Sequence, residues 1–149
     1  MTWAGARGNT EAQMAQVFHF TLDQAALHPA FNGLMQTLDS RAEAEGIEPD
    51  KAFKLNIANT LWGQQGFSFL SGFLDTLALN YGAGMNLVDF QNDPEGARQD
   101  VNNWVSRETE EKIKDIVPPG AIDSMTRLVL ANAIYFKADW ASEFNKDDT

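Results

Sequence analysis

Residues 128–140, "LVLANAIYFKADW", decide how the chain reads. Leu128, Val129, Leu130 and Ala131 precede Asn132, and Ala133, Ile134, Tyr135 and Phe136 follow it. Apolar side chains occupy both parities, so the pattern predicts a strand covered on both faces. Asn132 is the exception. A buried amide without partners costs about 1–3 kcal/mol, so such a strand requires hydrogen-bond partners for Asn132.

Upstream of this strand, Thr109 to Met125 reads as a long connection punctuated by Pro118, Pro119 and Gly120, and the strand is expected to begin near Thr126. "NDPEGARQDVNNWVSRET" predicts a helix with Asp93 as N-cap and Pro94 at its first position. Ala97, Val101, Trp104 and Val105 form its apolar stripe. "MNLVDF" (85–90) reads as a short strand. "FLSGFLDTLALNYGAG" has helical spacing through Leu70, Phe73, Leu74 and Leu77, with Gly82 and Gly84 as its stop. "FKLNIANTLW" places Phe53, Leu55, Ile57, Asn59 and Leu61 on one parity and predicts another strand. Two helices come first: one capped by Thr10 with Gln13 completing a capping box and Met14, Val17 and Phe18 on one face, and one after His28-Pro29 with Phe31, Leu34, Met35 and Leu38 at i, i+3, i+4 and i+7. The second dissolves into the acidic "RAEAEGIEPD". The order is mixed α and β, an α+β class.

Length and composition exclude several functions. The 149 residues suffice for one domain with a real core, and 44% apolar with 21% charged residues is a globular balance. A formal charge of −10 argues against a nucleic-acid partner and against an anionic membrane surface. No stretch approaches the roughly 18 apolar residues of a membrane span. With no cysteine there is no disulfide, thiolate metal site or cysteine nucleophile. "MTWAGARGNT" lacks the basic and apolar regions of a signal peptide, and "MTWAGA" resembles the tail of a helix.

No catalytic signature is present: no phosphate loop, no nucleophile elbow and no His-Glu-x-x-His helix. His19 and His28 read as helix-end residues rather than metal ligands, so no metal or other cofactor is expected. The glycines of "GARGNT" read as a turn between helices, Glu110-Glu111 and Asp147-Asp148 as exposed charge, and Trp3, Trp62, Trp104 and Trp140 as core.

Five stretches together resemble the serpin family, the serine protease inhibitors. "LVLANAIYFKADW", with Phe144 and Thr149 beyond it, resembles that family's signature of apolar strand, asparagine, aromatic pair, lysine, tryptophan, phenylalanine and threonine. "GARGNTEAQM" resembles its glycine-alanine-basic-glycine-x-threonine turn. "VNNWVSRETEEKIKDIV" is similar to a serpin helix through Asn102, Val105, Thr109, Lys112 and Ile113. "LNIANTLW" and "NLVDF" resemble serpin strands in the same order.

The resemblance implies a partial serpin fold, with helices C to F and strands one, two and three of the central sheet A. Residues 1–5 would finish helix B; residues 53–63, 85–90 and 126–136 would be strands two, one and three. Residues 1–149 would then be an incomplete domain, lacking helix A, most of helix B, the reactive-centre loop and the C-terminal half.

The implied activity is inhibition of a serine or cysteine endopeptidase by loop insertion into sheet A, and the implied partner is that protease. The alternative is a non-inhibitory serpin-fold chaperone or small-molecule carrier. No catalytic residue is implied here, and the reactive bond lies outside this chain. Asn132 matches the shutter, Trp140 the breach with Thr149 nearby, and Asn102, Trp104 and Val105 lie on the helix over sheet A. Residues 28–50 hold one arginine, Arg41, among five acidic residues, which opposes a heparin site. Family members act outside the cell or in the periplasm, with the cytoplasm left open by this sequence, and the chain alone would self-associate through an exposed sheet edge.

Overall fold

The computed structural model describes residues 1–42 and 53–140. A 3-10 turn at Thr2–Gly5 leads into helix α1 (Gly8–Val17) and helix α2 (Gln24–Ala42). Strand β1 (Lys54–Gln64), helix α3 (Ser71–Tyr81), strand β2 (Gly84–Val88), helix α4 (Pro94–Glu108) and strand β3 (Leu128–Lys137) follow. Among the described residues one mixed sheet forms in the order β2-β1-β3. β1 runs parallel to β2 and antiparallel to β3. This is the side-by-side order of strands one, two and three that the resemblance implies.

β1 is the hub because it buries a large apolar side chain toward each of two opposite layers. Its even positions carry Trp62, which joins Val88, Val129 and Ala131 beneath Ala97, Val101 and Trp104 of α4, with Val117 and Ile122 closing the flank. Its odd positions carry Leu61, which joins Leu128, Leu130 and Met85 against Phe73, Leu74 and Leu77 of α3 and Ala4 of the first turn. Leu77, Phe90 and Val105 are fully buried. Gly63 lets this layer close: a Cβ there would stand 2.6 Å from Met85 Sδ and 2.8 Å from the Phe69 ring.

The local signals for α3 and α4 hold. Asp93 accepts a hydrogen bond from the Gly96 N–H at 2.9 Å, with Pro94 as the first helical residue. α3 stops where Gly82 turns left-handed at φ 59°.

The two N-terminal helices differ from expectation. α1 begins at Gly8, with Arg7 before it and no side-chain cap, so Thr10 lies inside the helix. The turn is held from a distance: the Gln24 amide donates to Trp3 O, Ala6 O and Glu11 Oε1. Val17 and Phe18 are exposed rather than on a buried face. α2 starts before His28-Pro29, because Asp23 caps it by accepting from the Ala26 N–H at 2.9 Å. Pro29 then sits in the second turn, where its missing N–H leaves the Ala25 carbonyl without its helical donor. Phe31 and Leu34 of its expected apolar stripe are exposed. The acidic end of that helix, beyond Ala42, lies outside the described residues.

β3 begins two residues later than Thr126, and its expected double coverage does not hold. Ala131 and Ala133 are buried on the α4 side, whereas Ile134 is 57% and Phe136 62% exposed on the other. β3 pairs only with β1 among the described residues.

Candidate functional site

The seam between β1 and β3, with α4 laid over it, gathers most of the candidate residues. Asn59 and Asn132 stand opposite each other in the register. Asn132 Nδ2 donates to Asn59 Oδ1 at 2.9 Å and to Ala58 O at 3.3 Å. Asn59 Nδ2 donates in turn to Tyr81 O at 3.2 Å. An amide relay therefore runs from β3 through β1 to the last turn of α3. The expectation that Asn132 is buried is corrected: it is exposed, because it points to the face of β3 that α3 reaches only at the Leu128 end.

α4 occupies the opposite face. Val105 is fully buried and Trp104 half-buried against the Trp62 cluster. Asn102 is buried and bonds the returning connection twice, donating from Nδ2 to Val117 O at 3.0 Å and accepting from the Val117 N–H at 2.9 Å. Arg98 donates to the same carbonyl. The structure thus brings Asn102, Trp104 and Val105 together over the sheet and places Asn132 beneath it. Trp140 is 75% exposed, a correction to its reading as core, and Thr149 lies outside the described residues.

Sequence reasoning missed the polar lattice at the C-terminal end of α4. Asn56 Nδ2 donates to Glu108 O and Oε2. Lys54 Nζ lies 3.0 Å from Glu110 Oε1, and Tyr135 OH donates to Glu110 Oε2 at 3.0 Å. The Lys54 and Tyr135 hydrogen bonds hold the Glu110 carboxyl below the usual carboxylate range, and the same bond raises Lys54. Glu110 was legible only as exposed charge, since its partners lie 25 and 56 residues away.

His28 was also misread. It is buried inside α2, with Nδ1 2.7 Å from Tyr81 OH, and burial lowers its pKa.

Among the described residues no group of three or more His, Cys, Asp or Glu could hold a metal ion, and no helix is long and apolar enough to cross a membrane. A cavity of about 370 Å³ lies where α2, β1, α3 and α4 meet, lined by Asn32, Met35, Asn59, Tyr81, Trp104 and Glu108 among others, and it contains no nucleophile–base pair.

Residues 1–149 match the family described as Serpin (serine protease inhibitor). The chain belongs to the serpin family. It is 40% identical over 149 residues to the leukocyte elastase inhibitor of Xenopus tropicalis and 39% identical to the human one, covering 100% of this chain and 37% of each relative. Human serpin B3 is 39% identical over 156 residues. Among solved structures, emu ovalbumin superposes with a TM-score of 0.84 at 27% identity, over 98% of this chain and 39% of that one. An Arabidopsis serpin in its native stressed conformation gives 0.80 at 31% identity, over 97% and 35%. The serpin fold, in part, is therefore what the three strands and four helices build. The chain spans little more than a third of the length of its relatives, whose family is one of protease inhibitors.

Proposed function

We propose that the full-length parent of this serpin chain is a suicide-substrate inhibitor of serine endopeptidases. Its protease partner attacks a reactive-centre loop that residues 1–149 do not include. The protease serine oxygen adds to the scissile carbonyl, the C–N bond breaks, the amine leaves with the proton, and an acyl-enzyme ester remains. The freed loop then enters the sheet that contains β1, β2 and β3, gaining a strand's hydrogen bonds and packing. What supports this reading is the serpin family match over residues 1–149, together with the sheet order β2-β1-β3, the side-by-side arrangement of strands one, two and three in the sheet that would receive the loop.

In this reading Asn132 is a shutter residue, its relay through Asn59 tying β3 to β1 and α3. Trp140 and Thr149 belong to the breach, where insertion starts. Asn102, Trp104 and Val105 hold α4 on the sheet and must allow it to shift. α2 offers Arg41 as its only arginine or lysine, beside Asp39, which opposes a heparin site on this helix. Residues 1–149 form an incomplete serpin domain without inhibitory activity of their own.

Completing the reading frame from the flanking DNA and mixing the full-length protein with leukocyte elastase, chymotrypsin, trypsin and subtilisin tests the proposal. An SDS-stable covalent complex with one of them is expected. Clean loop cleavage by all four without any complex would sink it and favour a non-inhibitory chaperone or carrier. The 149-residue chain itself should form no such complex.

A further inference from the structure

α4 does not end in the usual way. Its final residue is followed by Thr109, and then Glu110 and Glu111 adopt φ of 47° and 60°. Left-handed backbone is ordinarily left to glycine or asparagine, because a Cβ crowds the following carbonyl. Two consecutive glutamates in that region are strained, and such strain persists only where surrounding contacts over-determine it.

The contacts are specific. Glu111 N donates to Ser106 O at 2.7 Å and Lys112 N to Thr109 O at 3.0 Å, closing the reversed turn. Buried Thr109 donates to Val105 O at 2.8 Å and accepts from the Ile113 N–H at 3.1 Å. The Glu110 carboxylate leaves this turn and spans two strands, one oxygen on Lys54 of β1 and the other on Tyr135 of β3. Asn56, the register partner of Tyr135, takes Glu108 beside it. By contrast, the middle of α4 rests on the sheet through apolar side chains, contacts that tolerate sliding because they have no direction.

We propose that Glu110 is a positioning residue, a latch whose bridge from Lys54 to Tyr135 holds a strained turn down and sets how readily the C-terminal end of α4 leaves the sheet. The carboxylate is well placed for this role, since among the described residues it is the one side chain that joins the turn to both strands at once. When the bridge opens, the turn loses its restraint and the left-handed pair relaxes. The end of α4 then lifts while the Trp62 cluster stays packed. The consequence for loop insertion rests on the function proposed above; the latch itself does not.

The test is backbone hydrogen exchange in the 149-residue chain and, in parallel, in the full-length parent. Glu110→Gln keeps the size of the side chain and removes its charge; Tyr135→Phe and Lys54→Met each remove one arm. Amides from Val105 to Ile113 are expected to exchange about fivefold faster in Glu110→Gln, the scale of losing a solvent-facing charged bridge. Amides of Leu61 and Leu77 should be unchanged, and adding Lys54→Met to Glu110→Gln should contribute nothing further. Unaltered exchange at 105–113 overturns the latch, and so does a uniform rise across every element, which would reduce Glu110 to general stability. A parent that inhibits no protease would defeat the functional reading while leaving these exchange rates to decide the latch.

Discussion

Asn132 donates two hydrogen bonds, yet its side chain stays in contact with water. Water can replace a lost partner there, so Asn132→Ala in this chain should cost under about 1 kcal/mol, the low end for a hydrogen bond that orphans no buried group. In the full-length parent, where further elements are expected to cover that face, the same change should cost about 1–3 kcal/mol. Urea midpoints of the two pairs decide it, and equal losses in both contexts would refute the distinction.

His28 behaves in the opposite way, being polar and buried. Its folded pKa lies below its ordinary 6.5, chiefly through burial. The unfolded chain therefore binds the proton more readily, and stability is full above pH 6.5 and declines as pH falls through and below that value. The carboxylates act lower. Glu95, drawn from 4.5 to about 2 chiefly by its Arg98 hydrogen bond, contributes stability that is present above 4.5 and lost as pH falls toward 2. Thermal midpoints should thus drop between pH 6.5 and 5 in the natural chain, and His28→Gln should flatten that window while leaving the acid limb. A flat natural profile above pH 5 would contradict the buried assignment.

Among the elements, the start of α4 and the stop of α3 were legible, because those caps are local. Asp93 and Pro94 sit within one turn of the groups they serve, and Gly82 supplies its own left-handed stop. Asp93→Ala should cost about 0.5–2 kcal/mol through the lost Gly96 contact. Thr10→Ala should stay within about 0.5 kcal/mol, since Thr10 caps nothing. Denaturant titration of the two variants compares them directly, and a larger loss at Thr10 would restore it as a cap. The entry to α1 escaped sequence reading because its clamp, Gln24, lies on the next helix. α2 escaped because Pro29 looks like a boundary, whereas Asp23 had already started the helix.

For the molecule as a whole, β3 is the exposed flank. Among the described residues no strand pairs with the second edge of β3; such an edge is a template for pairing, and Ile134 and Phe136 add apolar surface beside it. The chain alone is expected to self-associate at micromolar concentration. Ile134→Lys should shift it toward monomer in sedimentation velocity by placing charge on that flank. A natural chain that sediments as a monomer at every concentration would remove the edge as an association site.

The sequence by itself determined the order of elements, the strand parities, the Asp93 cap of α4 and the Gly82 stop of α3, since each rests on residues within one turn or one strand of each other, and the family, which rests on five matching stretches in the same order along the chain. Its reading of β3 as covered on both faces fails at Ile134 and Phe136, because periodicity records only what a side chain prefers, and coverage depends on which elements arrive. Only the tertiary structure decided that Asn132 is wet and His28 dry. It also decided that Glu110 bridges two strands 25 and 56 residues away, since charge–charge and amide pairing at such separations leaves no spacing for a sequence to display.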